Sequence, residues 1–441
     1  MVDKLRRRVI ALLGTGNVSK AVSLITSHGV ANINAPEVRR QLEEKHPARE
    51  RQLPRSVIKQ SPVQNLKGLR YAMLDLRKKK GTSPGAGGCR GEFLVTLAET
   101  FDADKMQQLE DFCLRYLQSE LPPWFTQVLL TTRTVALFKD EEEDAIRPLG
   151  IRHPLIRCVH RLVVSANREE VKAFLEPQQL AMSEGGCTKL YHSINTLLDL
   201  RRDFICVKLD CKNAFNSCSR ARLVKVLSEE PSLRHLASHA ATSLAAPTAL
   251  EDRGELFGWS EDGFPQGCPE AAPEYCVSWQ EQVVEMDQAV SQDGGCSLML
   301  MDDGYVVGLP QAVFLAIRVF ERDIKEECGL TLQRKKCEVF SWTGEVPEGC
   351  VPGFTLAGRW VDGRFEPGFI CVGAPIGTDM YVKSTMKLKV KELKEDADKT
   401  LALLGEEKQA LWTILRSSFA HKLEYWLLLL PQAWSRMLPG R

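Results

Sequence analysis

Two aspartates, Asp302 and Asp303, stand side by side between the apolar runs Leu298 to Met301 and Tyr305 to Val307. Two β-prone segments separated by a few polar residues read as an antiparallel pair. The fold must therefore accommodate a hairpin with a doubly acidic tip, and Asp302-Asp303-Gly304 has the composition of a tight turn. A third aspartate, Asp210, closes an earlier apolar strand, Phe204 to Leu209. If the two strands lie together, so do their carboxylates.

The surroundings predict what else is packed there. Residues 1–50 carry helical periodicity that breaks at Pro47, and residues 65–80 and 101–118 read as amphipathic helices. Gly81 to Gly91 holds too much glycine and proline for either period and reads as a flexible loop. The period changes after Val128. Thr134 to Phe138 and Ile146 to Leu149 flank the acidic turn Glu141 to Asp144, a hairpin with Lys139 on one arm and Arg147 on the other. A helix is expected from Ser219 to Glu229 and another over 311–328, returning the chain to Gly329-Leu330. Lys383 to Arg441 reads as helices rich in Lys and Leu. Strands separated by helices predict a mixed α+β core, and 441 residues with 44% hydrophobic content suffice to bury it.

Composition narrows the partners. A net charge of +1 means that no global field draws the chain to a polyanion, so nucleic acid must be met by local clusters. Lys4 to Arg8, Lys78 to Lys80, Arg334 to Lys336 and Lys387 to Lys391 are such clusters. The 14 cysteines include no Cys-x-x-Cys pair, which reads as free thiols in a reducing compartment without a structural zinc. No apolar stretch approaches the roughly 20 residues of a membrane span, so an intracellular chain, nuclear or cytoplasmic, is expected.

Two motifs lead elsewhere and are set aside. Val9 to Ser19, with Gly14 and Gly16, looks like the start of a dinucleotide fold, but no strand ending in an acidic residue follows, so a helix–turn–helix connection is expected. His235 and His239 stand one helical turn apart, as zinc ligands can, but no further ligand is evident, and a helix surface is the expected reading.

The aspartates belong to an ordered series. Leu209-Asp210-Cys211-Lys212-Asn213-Ala214-Phe215-Asn216-Ser217 is followed by Gln266-Gly267-Cys268-Pro269, by Leu300-Met301-Asp302-Asp303, and by Gly329-Leu330-x-Leu332-x-x-x-Lys336-Cys337. Upstream stand Ala136-Leu137-Phe138-Lys139 and Arg147-Pro148-Leu149-Gly150, and downstream Val372-Gly373-Ala374-Pro375-Ile376-Gly377. In this order, over residues 128–382, the chain resembles a reverse transcriptase of the non-LTR (LINE-like) retrotransposon type.

That resemblance implies a right-hand polymerase: a helical N-terminal extension over 1–125 with its glycine-rich loop at 81–91, fingers over 126–202, a ferredoxin-like palm over 203–378 and a partial helical thumb over 379–441. It implies RNA-directed DNA synthesis from a primer, with an RNA template, a DNA primer and deoxynucleoside triphosphates as partners and no obligate oligomer. Asp210 and Asp302 would hold two magnesium ions, with manganese as a substitute and Asp303 in support. Lys139 and Arg147 would grip the triphosphate, the arginine by a bidentate fork. Phe215 would underlie the sugar and exclude a 2′ hydroxyl, Gln266 and Gly267 would line the nucleotide pocket, and Lys336 would approach the leaving pyrophosphate. Lys387, Lys389 and Lys391 would touch the duplex backbone. Two residues depart from the pattern. Leu300 replaces an aromatic and should pack in its strand, and Glu270 replaces an apolar residue, where its carboxylate would either oppose a triphosphate or face water. The alternative to an active polymerase is an inactive nucleic-acid-binding remnant or domesticated fragment of a retroelement.

Overall fold

A five-stranded sheet organises the computed structural model, which describes residues 2–27, 29–53, 63, 66, 68–79, 81, 83–139 and 145–430. Its central strand is β3 (Ile205–Leu209); strands β1, Thr132–Phe138, and β2, Ile146–Arg152, precede it and belong to another sheet, with β4, Thr248–Asp252, and β5, Glu255–Ser260, which follow it. Strands β6, Cys296–Leu300, β7, Asp303–Gly308, β8, Glu338–Phe340, and β9, Thr355–Leu356, complete the first sheet in the order β6-β7-β3-β8-β9, with β3 antiparallel to β7 and β8. The molecule is α+β.

Period-two alternation decides which side chains face which layer. Ile205, Val207 and Leu209 enter a core built with the helices Arg220–Glu229, Ala271–Ser291 and Pro310–Cys328, through residues such as Val224, Trp279 and Phe314. Phe204 and Cys206 face the opposite way, against Tyr191 and Ile194 of the helix Gly186–Leu200 and Phe369 of a three-stranded sheet. That sheet comprises β10, Gly358–Val361, β11, Arg364–Cys371, and β12, Ala374–Gly377. Both faces of β3 are buried except at Lys208, which explains its largely apolar composition.

The second sheet has the order β2-β1-β4-β5. Strands β1 and β2 pair antiparallel from Thr132↔Arg152 to Phe138↔Ile146. The acidic residues 141–144 of the expected turn lie outside the described residues, as do Lys80 and the chain end beyond 430.

The helical N-terminal region packs in three places. Helices Val2–Gly14 and Val18–Thr26 join across Gly14 and Gly16, as expected, and bury Val9, Leu12 and Ala21 against Leu404 and Ile414 of the C-terminal helices. The helix Pro36–Glu44 lies on the β1–β2 hairpin, where Val38 and Leu42 meet Ala136 and Ile146. Residues Leu69 to Leu130 form a helical core with Leu155, Ile156 and Val159 of the helix Pro154–Ala166. The expected loop over 81–91 contains a short turn of helix at Ala86–Gly88, and a regular helix starts at Gly91, which the glycine content had hidden.

Candidate active site

Strand register brings the acidic residues together. Leu209 pairs with Gly304 across β3 and β7, so one further step sets Asp210 opposite Asp303, on the face that Tyr305 shares. The β6–β7 hairpin turns on Met301 and Asp302, flanked by the pair Leu300↔Asp303. The tight turn is thus one residue earlier than composition suggested: Asp303 and Gly304 belong to β7, and Met301, with φ +58°, takes the left-handed position. A Cβ at Gly304 would stand 2.8 Å from the Met299 sulfur, so a larger residue there would displace the methionine side chain.

The three carboxylates act on one another. Withdrawal from water first, and then the Asp303 charge, push the Asp210 carboxyl above its ordinary range, against the pull of Lys336, Lys208 and Lys139. Asp302 is raised in the same sense, first by withdrawal from water and then by Asp303 and Asp210, with Arg147 opposing. None of the three carboxylates forms an ion pair among the described residues.

Backbone contacts hold the segments around them. Beyond Asp210 the chain pairs with the Leu332 region: Lys212 N–H donates to the Thr331 carbonyl at 2.9 Å and Gln333 N–H to the Asp210 carbonyl at 2.7 Å. This seats the turn Arg334–Lys336 beside the strand end, which is why Lys336 is the strongest cation acting on Asp210. Phe215 is half-buried, with its ring stacked on Tyr275 at a centroid distance of 4.7 Å. Gln266 accepts from Gly150 N–H at 2.7 Å through its carbonyl, tying its loop to β2. Gly267 has φ +103°, and a Cβ there would come within 2.8 Å of the Gly150 carbonyl oxygen, so only glycine permits this approach. Asp303, Lys139, Arg147 and Lys336 are therefore near enough for their charges to act on Asp210 or Asp302. Phe215 packs on Tyr275, and the Gln266–Gly267 loop on β2. Lys389 instead lies over the Trp426 ring, and Lys391 pairs with Glu395, so the basic run of that helix does not form one free face.

Lys45 is a cleft residue that pattern reading missed. It caps the helix Pro36–Glu44, and its carbonyl accepts from Asn213 Nδ2 at 2.9 Å, which anchors the helix end to the turn after Asp210. Burial first, then the charges of Lys139, Lys336 and Lys212, lowers its ammonium pKa. No local sequence signal marks it, because packing of the helix on the β1–β2 hairpin delivers it.

Glu270 corrects an expectation. Its carboxylate neither enters this cleft nor faces water. It is buried at 5% exposure, 3.0 Å from His160 Nδ1 and 3.6 Å from His239 Nε2. His239 is thus not a surface residue either. The geometry favours a neutral His160 that donates from Nδ1 to Glu270 and accepts at Nε2 from the Tyr116 hydroxyl at 2.9 Å. Burial also keeps the imidazole pKa low. His160, Cys268 and Glu270 place donor atoms within 4.8 Å of one another, as a metal site would. However, Arg152 Nη1 stands 3.4 Å from the imidazole nitrogen and 3.6 Å from the sulfur. A guanidinium already supplies the cation. Leu300 packs beside the apolar face of its sheet and meets the expectation for it.

No family model matches the chain, and no curated protein matches its sequence. Among solved structures it is similar to telomerase from Candida albicans in complex with a TWJ fragment of telomeric RNA, at 12% identity and TM-score 0.40, over 67% of this chain and 56% of that one. It is also similar to apo telomerase from Candida tropicalis truncated from its C-terminal domain, at 10% identity and TM-score 0.39, over 57% and 55% of the two chains. The chain thus spans little more than half the length of either telomerase, and similarity at this level does not by itself assign a chemistry. Among the described residues no helix is long and apolar enough to cross a membrane.

Proposed function

We propose that the chain is an RNA-directed DNA polymerase of the non-LTR retrotransposon type, with the five-stranded sheet as its palm, the β1–β2 hairpin in its fingers and the C-terminal helices as a partial thumb. The observation that carries this reading is the convergence of Asp210, Asp302 and Asp303 at one end of strands β3, β6 and β7, with the charges of Lys139, Arg147 and Lys336 acting on them. The ordered motifs that flank those residues support it.

The residues fit divalent cations. Asp210 is raised partly by Asp303, and Asp302 partly by Asp303 and Asp210, a repulsion that bound cations would relieve. Asp210 and Asp302 would hold two magnesium ions, with Asp303 beside them. Such ions would offset charge on a triphosphate and make a primer 3′ hydroxyl easier to deprotonate.

The remaining roles belong to the chain itself. Lys139 and Arg147 grip the triphosphate from the hairpin, and Lys45 adds a third charge from the helix end. Phe215, braced by Tyr275, walls the sugar and disfavours a 2′ hydroxyl. The Gln266–Gly267 segment would line the nucleotide pocket, and Lys336 would give a proton to departing pyrophosphate.

Purified protein should incorporate dTTP on poly(rA)/oligo(dT) with magnesium. Asp302→Asn should lower the rate on the order of a hundredfold or more, which corresponds to roughly 3 kcal/mol of transition-state stabilisation. Incorporation unchanged in that variant would sink the mechanism. Salt-sensitive template-primer binding without extension, under magnesium or manganese, would make the chain a binding remnant.

A further inference from the structure

The turn that carries Asp302 has an unfavourable backbone. Met301 sits at φ +58°, a left-handed region that is strained for a residue bearing a Cβ. Its side chain is 37% exposed, so packing does little to hold it there.

Gln179 supplies the restraint. It is fully buried, and its amide grips both polar groups of the Met301 backbone. Met301 N–H donates to Gln179 Oε1 at 2.9 Å, and Gln179 Nε2 donates to the Met301 carbonyl at 3.1 Å. Gln179 is itself fixed, because its neighbours pair with β6: Met299 N–H donates to the Gln178 carbonyl at 2.7 Å and Leu180 N–H to the Met299 carbonyl at 2.8 Å. The chemistry is specific to an amide. A carboxylate would offer two acceptors to one donor and one carbonyl, and an apolar side chain would leave both backbone groups without a partner.

We propose that Gln179 is a positioning residue which, by locking Met301, aims the carboxylate of the next residue, Asp302, into the cleft and so sets the site's affinity for divalent ions. This rests on the two-metal reading above. The clamp acts through one peptide unit, so its loss should alter ion binding and turnover more than template-primer affinity.

The test compares wild type with Gln179→Met, which keeps side-chain length and loses both hydrogen bonds, and with Asp302→Asn. Manganese binding is titrated by electron paramagnetic resonance, and amide hydrogen exchange is followed across residues 298–305. Expected are Mn²⁺ affinity about tenfold weaker in Gln179→Met than in wild type, faster exchange in the turn, and a lower kcat on poly(rA)/oligo(dT) with template-primer Kd unchanged. Adding Met301→Gly to Gln179→Met should restore part of the Mn²⁺ affinity, since glycine adopts positive φ without cost. Wild-type Mn²⁺ affinity in a folded Gln179→Met protein would overturn the clamp and leave the two-metal reading standing. Equal, weak binding by wild type and Asp302→Asn would overturn that reading and the inference with it. If Gln179→Met fails to fold, wild-type exchange decides: protection of the Met301 amide supports the clamp, and exchange at the rate of a free peptide overturns it.

Discussion

Lys45 shows how a residue without a motif enters a charged cleft. Its ammonium is half-buried among three other lysines, Lys139, Lys212 and Lys336. Like charges gathered at one point are costly unless an anion spends time among them. Lys45→Ala should therefore raise the KM for dTTP about tenfold, the equivalent of one charge-assisted contact, and leave template-primer Kd unchanged. Steady-state kinetics with a parallel binding titration would check this, and a KM within twofold of wild type would remove Lys45 from the nucleotide site. Asp210, Asp302 and Asp303 were legible in the sequence because each sits at a strand end inside an ordered set of motifs. Lys45 was not, since its place depends on Leu42 and Val38 docking on a hairpin far along the chain. Glu270 was misjudged for the same reason: the imidazoles that receive it come from two separate helices.

The helix that begins after Glu270 makes its own pH profile. Burial works against the Glu270 charge, but His160 and His239 outweigh it and hold the carboxyl well below its usual range. One turn on, burial first and then the Glu270 charge push the Glu274 carboxyl up to about 8. The signs are opposite. Glu270 contributes stability above its unfolded pKa that is lost as pH falls, whereas Glu274 keeps its proton in the fold and penalises the native state as pH rises from the ordinary carboxylate range towards 8. Glu274→Gln should remove that alkaline loss, gaining on the order of 2 kcal/mol over wild type at pH 8 and much less at pH 5, as read by urea unfolding at both pH values. Equal gains at both pH values would show that the proton is not the cause. The helix itself has no counterpart among the elements expected from the sequence. Strands β3, β6 and β7 and the helices after them follow from periodicity to within a residue or two. The hairpin turn slipped by one because aspartate and glycine suit a turn and a strand end equally well.

At the scale of the molecule, the two ends of the described chain share one core. Val9, Leu12 and Ala21 pack with Leu404, Ile414 and Phe419, and Arg6 reaches Glu406 and Glu407 at the rim. The exposed ion pairs add little, so the apolar contact holds the ends together. Leu404→Ala, at a fully buried position, should cost about 2 to 4 kcal/mol of local stability and speed amide exchange in residues 2–26 as well as in the C-terminal helices. Faster exchange confined to the C-terminal helices would show that the two ends are not coupled. An α+β class with strands between helices could be read from the pattern alone. The meeting of the termini could not, since amphipathic periodicity shows that a helix has an apolar face and is silent about which distant helix covers it.

That shared core also orders events during synthesis. The apolar faces of the helices Val2–Gly14 and Val18–Thr26 leave the ribosome well before their partners around Leu404 and Ile414. At about 5 to 20 residues per second, the interval is on the order of half a minute. Through that time these two helices must be tolerated as unpaired amphipathic segments, shielded by a chaperone or by transient contacts.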